Sequence, residues 1–130
     1  MAQKETLSSL TQGNFARELS IADGKMPPNA VDFERLVVGT FLIDKKGLDH
    51  SIDLLTPEVF YDPRQSVIFE VILKLYEGNH PVDLMTVIQE LKKTDRLASA
   101  GGDHYIIELT MGVSSSAHIE YHVRVILEKY

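Results

Sequence analysis

The chain contains no cysteine, which excludes disulfide bonds and metal sites built on thiolates. This absence fits a reducing compartment. No apolar run approaches the roughly 20 residues needed to span a bilayer. The sequence does not open with a basic region followed by an apolar block, so we expect no signal peptide. Together these absences predict a cytoplasmic protein.

Motifs for common catalytic chemistry are absent too. There is no GxxxxGKS or GxxxxGKT phosphate-binding loop and no HExxH zinc motif. The net charge of −6 predicts poor nonspecific binding to nucleic acid, because phosphate contacts need Lys and Arg. No segment alternates strictly between apolar and polar residues as a half-buried strand does. The chain has 130 residues, 44% of them hydrophobic, which is enough for one domain with a core.

Residues 57–91 carry the two best-marked helices, and we expect the rest of the chain to pack around them. Asp62 precedes a proline, and this pair is typical of a helix start because Asp accepts a hydrogen bond from a free first-turn amide. Gln65 stands where the second member of a capping box would reach back. Gly78 is expected to end this helix in the left-handed conformation, and Asp83 to cap the next helix.

The first predicted helix covers residues 29–43, with Asn29 as its cap. Gly39 lies in its middle, where glycine costs about 1 kcal/mol relative to alanine. The physical reason to keep glycine there is the close approach of another backbone. Residues 44–47 are expected to form an exit turn, and a short helix is expected around 48–55.

Two further helices are predicted near the end of the chain. Asp103 is the expected cap of the first, and Gly112 its end; serines 114–116 offer caps for the second. The last helix still runs at Tyr130, which suggests a truncated piece, and residues 1–26 are expected to form a flexible tail. The inward stripe of the last helix is predicted to contain Ile119, Val123, Ile126 and Leu127, with His122 among them.

The predicted fold is all-α, a compact bundle of about six helices. Its expected core consists of Leu36, Val37, Phe60, Ile68, Val71, Ile72, Leu75, Val87, Ile88, Leu91, Ile106, Leu109, Ile119 and Val123.

Residues that could carry chemistry each have a simpler structural interpretation. His118 and His122 have a spacing that can hold a metal, but we expect His122 to be half-buried and His118 to face solvent. Asp62 and Asp83 could be paired acids, yet both stand where helix caps are expected. The glycine pair at 101–102 is a turn more readily than a phosphate loop. We therefore expect no catalytic, cofactor-binding or metal-binding residue, and an interaction or assembly module.

Five motifs follow one another in a specific order: Pro27-Pro28 with Glu34 and Gly39, Phe60-Tyr61, Pro81-Val82-Asp83, Gly101-Gly102 with Tyr105, and Ile119-Glu120-Tyr121. In this order and spacing they resemble the N-terminal domain of the DnaB-type bacterial replicative DNA helicases. The resemblance covers residues 27–130.

This resemblance implies that the whole protein is a hexameric, ATP-dependent helicase that unwinds DNA at the replication fork. ATP and Mg would bind a C-terminal ATPase domain absent from this chain, and the present domain would hold no cofactor and catalyse no reaction. Residues 27–130 would form the helical collar domain, cut near the start of a helical hairpin. Its implied partners are other helicase subunits, primase and a helicase loader, with single-stranded DNA passing through the full ring.

Two positions depart from the family pattern. His118 stands where the family often has Asn, and His122 where it often has a second Tyr, so packing on the last helix is left open. A stand-alone helical adaptor or regulator is the alternative, and it predicts that the gene ends near Tyr130. A small metal-dependent enzyme using the histidines is a third interpretation, and it predicts an activity that a chelator removes.

Overall fold

The structure, a computed structural model, describes residues 28–113 and 118–129, which are helical with no strand. By their contacts the residues divide into two units, Met1–Asp32 and Phe33–Tyr130, and only the opening turns of the first helix are described in the former. The predicted all-α class is confirmed. The six α-helices are α1 (Pro28–Ile43), α2 (Lys45–Ser51), α3 (Pro63–Glu77), α4 (Leu84–Lys93), α5 (Gly102–Met111) and α6 (Ile119–Lys129), and two 3₁₀ helices span Ile52–Leu54 and Pro57–Val59.

The beginning of α1 differs from the prediction. Asn29 lies inside the helix and is not its cap, because α1 already includes Pro28. Proline suits the first helical position, where its missing N–H removes no intrahelical hydrogen bond. The helix continues through Gly39 to its end at Ile43, as predicted.

The expected exit turn after α1 was wrong. The Asp44 side chain accepts a hydrogen bond from the Gly47 amide at 3.1 Å and so caps a new helix that starts at once. Three residues of the segment predicted as a short helix, Leu48, Ile52 and Leu55, are buried. Only their helix type changes, from α to 3₁₀ at Ile52.

Helix α3 contributes six buried residues to the core, which agrees with the expectation that the rest of the chain packs around this region. The Asp62 carboxylate caps it by accepting from the Arg64 amide at 2.9 Å. Ile68, Phe69 and Ile72 are fully buried. α3 packs against α4 and against the 3₁₀ helix that precedes it.

The end of α3 corrects the assignment of Gly78. Gly78 has φ −85°, and the left-handed residue is Asn79 with φ 61°. The His80 amide then donates back to the Leu75 carbonyl at 2.9 Å, which is the 6→1 hydrogen bond of a Schellman cap. Asp95, with φ 60°, plays the same part after α4. Asn and Asp tolerate this region better than other non-glycine residues, so a glycine is not required.

At the start of α5, Gly101 occupies the cap position with φ 98° and Asp103 lies within the first turn, so Asp103 is not the cap. The end at Gly112 is confirmed. On α6 the inward stripe is confirmed except at Leu127, which is 39% exposed. The predictions for residues 1–26, for serines 114–116 and for Tyr130 lie outside the described residues.

The core is confirmed with one exception. Leu36 is half-buried, because it sits at the edge of the inward face of α1. The predicted members that are buried are Val37, Phe60, Ile68, Val71, Ile72, Leu75, Val87, Ile88, Leu91, Ile106, Leu109, Ile119 and Val123. Within 28–113 and 118–129, no helix has the length and apolar character to cross a membrane.

Candidate protein-interaction surface

A group of polar side chains, here called the α3 polar network, joins three helices around the start of α3. It consists of Glu34 and Arg35 from α1, Asp62, Arg64 and Gln65 at the start of α3, and Tyr105 from α5. The network fixes the loop on which the exposed side chain of Tyr61 stands.

Glu34 anchors this loop from inside the protein. Its side chain is buried, and its two carboxylate oxygens accept from the amides of Tyr61 at 2.6 Å and Asp62 at 3.2 Å. Burial raises the pKa of Glu34, while the two backbone hydrogen bonds oppose that rise by stabilising the charged form. A buried carboxylate is thus held by main-chain donors at the entrance to α3.

Asp62 and Arg64 carry the network outward to α5. The Arg64 guanidinium donates to both carboxylate oxygens of Asp62, at 3.2 and 2.7 Å, and this hydrogen bonding lowers the pKa of Asp62. The same guanidinium lies 4.0 Å from the centre of the Tyr105 ring, and that of Arg35 lies 5.4 Å from it. The ring therefore lies within cation–π distance of two arginines.

Gln65 is not the capping-box residue that its position suggested. It is fully buried, and its Oε1 accepts from the Tyr105 hydroxyl at 2.5 Å. Burial raises the pKa of Tyr105, which keeps the phenol protonated and able to donate. The Gln65 Nε2 has no hydrogen-bond partner among the described residues. A core position of α3 is thus used to connect α3 with α5.

A second group, here called the α6 aromatic cluster, lies where α6 meets α1. The Phe33 ring packs edge-on against Tyr121, with centroids 6.2 Å apart, and lies 5.1 Å from the imidazole of His122. Tyr121 remains 54% exposed. Burial, and then the neighbouring charge of His118, lowers the pKa of His122. The exposed Tyr121 ring therefore rests on Phe33 of α1.

Several large apolar and aromatic side chains face solvent, including the two tyrosines already described. Those at least 39% exposed are Ile43, Leu54, Tyr61, Met85, Ile107, Met111, Tyr121 and Leu127. Exposed aromatic and methionine side chains are enriched where proteins bind proteins. The described surface therefore offers several anchor residues for a partner.

The structure locates the histidines and aspartates that the sequence offered as candidates for metal binding or catalysis. His118 is exposed and His122 half-buried, as expected, with their ring centroids 6.4 Å apart. Asp62 and Asp83 each cap a helix, and Asp83 forms a capping box with Thr86. Among residues 28–113 and 118–129 no three His, Asp or Glu side chains are grouped so as to hold a metal.

The α3 polar network itself was not predicted, although the sequence contains a signal for it. Glu34 precedes Val37, Val38 and Phe41 at helical spacings, so it occupies a position on the buried face of α1. Gln65 stands in the same relation to the buried residues of α3. A polar residue at a core position needs a buried partner, and that need is readable from sequence.

Comparisons with known proteins agree with this fold. The sequence profile of the DnaB-like helicase N terminal domain matches residues 26–128. A replicative DNA helicase DnaB from Rhodothermus marinus is 46% identical over 127 residues, which cover 95% of this chain and 14% of that protein. One from Geobacillus stearothermophilus is 34% identical over 105 residues, covering 81% of this chain and 23% of the relative.

A solved structure gives the same result. The crystal structure of the N-terminal domain of DnaB helicase from Mycobacterium tuberculosis superimposes with a TM-score of 0.70 at 31% identity, covering 75% of this chain and 67% of that one. The chain therefore belongs to the DnaB-like helicase N-terminal domain family. It spans about a seventh to a quarter of the length of these helicase relatives.

Proposed function

We propose that this chain is the non-catalytic N-terminal assembly and interaction domain of a hexameric replicative DNA helicase. The observation that carries the proposal is the match of residues 26–128 to the family profile, together with 46% identity to a replicative helicase over 95% of the chain. The fold supports it, because the structural relative is itself the N-terminal domain of such a helicase.

In this proposal residues 27–130 form the collar domain and residues 1–26 a tail that precedes it. Unwinding of DNA at the fork, with ATP and Mg, belongs to an ATPase domain outside this sequence. The collar domain contributes to ring assembly and to primase binding, and single-stranded DNA passes through the full ring. A helicase loader is a further partner of the ring, and the protein acts in the cytoplasm.

The described surface suits this role. Tyr61 and Tyr121 are exposed yet stand on supported positions, one beside the α3 polar network and the other in the α6 aromatic cluster. Aromatic anchors that are held in place lose little conformational entropy on binding. We therefore expect weak protein–protein binding by the isolated chain, strengthened when several copies act together in a ring.

The test is a titration of the isotopically labelled chain with primase from the same organism, followed by amide chemical shifts. We expect shifts that saturate and cluster on one face, no ATP hydrolysis by the chain, and a monomer or weak dimer in light scattering. Tyr121→Ala and Tyr61→Ala test the two anchors, with Lys46→Ala, at an exposed position of α2, as the control. Shifts absent at millimolar primase, or a stable hexamer of the isolated chain, would contradict the proposal.

A further inference from the structure

A groove runs between the C-terminal end of α3, the turn after it, and α4. Its volume is about 610 Å³, within the range of about 300–1,000 Å³ typical of ligand-binding pockets. Leu75 and Pro81 give it apolar lining, and Thr86 and Gln89 add polar groups. None of its lining residues belongs to the α3 polar network or to the α6 aromatic cluster.

The walls of this groove are held in place by hydrogen bonds. The turn at one end is the Schellman cap in which Asn79 is left-handed and the His80 amide donates to the Leu75 carbonyl. The His80 imidazole folds over Gly78 so closely that a Cβ on residue 78 would lie 2.9 Å from it. At the other side, the capping box of Asp83 fixes the start of α4. A preformed groove of this kind loses little entropy when it is filled.

Two lysines, one carboxylate and His80 are the ionisable side chains among the described residues that line the groove, in a chain whose net charge is −6. Lys74 Nζ pairs with Glu90 Oε2 at 2.8 Å across the groove, joining α3 to α4. Lys93 and His80 also line it, and neither forms an ion pair within the described residues. Hydrogen bonding from Lys74, followed by the charges of Lys74, Lys93 and His80, lowers the pKa of Glu90. Three basic side chains thus surround one carboxylate.

We propose that this groove is a docking site for a short acidic segment of a partner polypeptide. An apolar side chain of the segment would rest on Leu75 and Pro81, and a carboxylate of the segment would pair with Lys93 at the rim. This inference rests on the groove alone and does not depend on primase being the partner.

The same features favour a polypeptide over a nucleic acid. Two lysines beside a carboxylate neutralise few phosphates, so little affinity would come from counterion release. Among the described residues, no aromatic side chain other than the His80 imidazole lines the groove to stack on bases. The apolar lining between the charges instead matches a peptide that alternates acidic and apolar side chains.

The test uses the full 130-residue chain and a fluorescein-labelled peptide of sequence Glu-Leu-Asp-Glu-Leu-Glu, read by anisotropy and by amide chemical shifts. We expect saturable binding that weakens with added salt and shifts centred on the groove. Lys93→Glu should weaken binding roughly fivefold or more, whereas Lys93→Arg should keep it. Lys46→Glu, the same charge change on α2, should leave binding unchanged because Lys46 does not line the groove.

Several outcomes would overturn the proposal. One is that a peptide with Gln and Asn in place of Glu and Asp binds as tightly as the acidic peptide. Another is that Lys46→Glu weakens binding as much as Lys93→Glu, and a third is that the chemical shift changes map to another face. Tighter binding of a ten-nucleotide oligo-dT at the same residues would assign the groove to single-stranded nucleic acid. Because the peptide is not primase, failure here leaves the primase titration unaffected.

Discussion

The carbonyl oxygen of Leu109 lies where a side chain on Gly39 would begin. A Cβ built on Gly39 would stand 2.3 Å from that oxygen and 2.8 Å from Cγ2 of Val113, and real Cβ contacts essentially never fall below 3.0 Å. Because Gly39 has no side chain, the backbone of α1 can approach the backbone at the end of α5 closely. This contact explains a residue that costs about 1 kcal/mol in a helix interior.

Replacing this glycine should destabilise the protein in spite of the better helix propensity of alanine. We expect Gly39→Ala to lower the free energy of unfolding by about 1–3 kcal/mol, because the methyl group forces α1 and α5 apart. Urea denaturation measures this change. Gly112→Ala is the control, since a Cβ there would meet no atom of the described residues within 4 Å. Equal stability of the two variants would show that the close approach is wrong.

The hydroxyl of Tyr105 satisfies a carbonyl oxygen that is otherwise out of reach of solvent. Tyr105→Phe keeps the ring between the two arginines but leaves Gln65 Oε1 buried without its donor. We expect a loss of about 1–3 kcal/mol in unfolding free energy, measured by urea denaturation. Tyr61→Phe removes the hydroxyl of a tyrosine that is 63% exposed, and it should change stability by less than about 0.5 kcal/mol. A Tyr105→Phe variant as stable as the Tyr61→Phe control would refute the buried hydrogen bond.

Features set by local chemistry were the ones that sequence predicted well. The caps at Asp62 and Asp83 depend on a side chain and an amide two or three residues away, so neighbouring residues suffice. The inward faces of α3 and α5 follow from helical spacing alone. The need for a small residue at Gly39 was also readable, because glycine in a helix interior is costly without a packing reason.

Features set by contacts distant in sequence were predicted poorly. Gln65 was assigned to a cap because the sequence gives no sign that Tyr105, forty residues away, supplies its partner. Gly78 was predicted to be left-handed because glycine is the commonest residue in that conformation after a helix. The helix extends one residue further, and Asn79 takes the left-handed position. The error at Leu127 has a local cause instead: Leu127 lies eight residues after Ile119, so it is rotated by about 80° from it on the helix and leaves the buried stripe.

A serine hydroxyl buried without a partner should contribute nothing to stability. Ser51 is fully buried and its Oγ makes no hydrogen bond to the described residues. We expect Ser51→Ala to leave the melting temperature unchanged or to raise it, since no hydrogen bond is lost and a buried polar group is removed. Ser66→Ala is the matched control, because it loses the 2.9 Å bond from Oγ to the Pro57 carbonyl and should cost about 1 kcal/mol. A clear loss of stability in Ser51→Ala would reveal a partner for this hydroxyl.

The α6 aromatic cluster should weaken in acid. The lowered pKa of His122 means that the folded state takes up a proton on this imidazole at a lower pH than the unfolded chain, where a histidine titrates at about pH 6.5. Below that pH the unfolded state binds more protons than the folded state. The contribution of neutral His122 to the free energy of unfolding is therefore full above about pH 6.5 and is lost as the pH falls through that value. Urea denaturation from pH 7.5 to 5 measures this effect. As the pH falls, the free energy of unfolding of the wild type should decrease relative to that of His122→Asn. A difference between wild type and His122→Asn that stays constant over this pH range would exclude the effect.

The central claim is that this bundle belongs to a replicative helicase, and the reading frame of its gene beyond the codon for Tyr130 tests it most directly. The relatives matched here are several times longer than the chain. We predict that the frame continues through a further helix and a linker into an ATPase domain that contains GxxxxGKS or GxxxxGKT. A stop codon directly after Tyr130 would contradict the claim and would leave a stand-alone adaptor with the fold of a helicase collar domain.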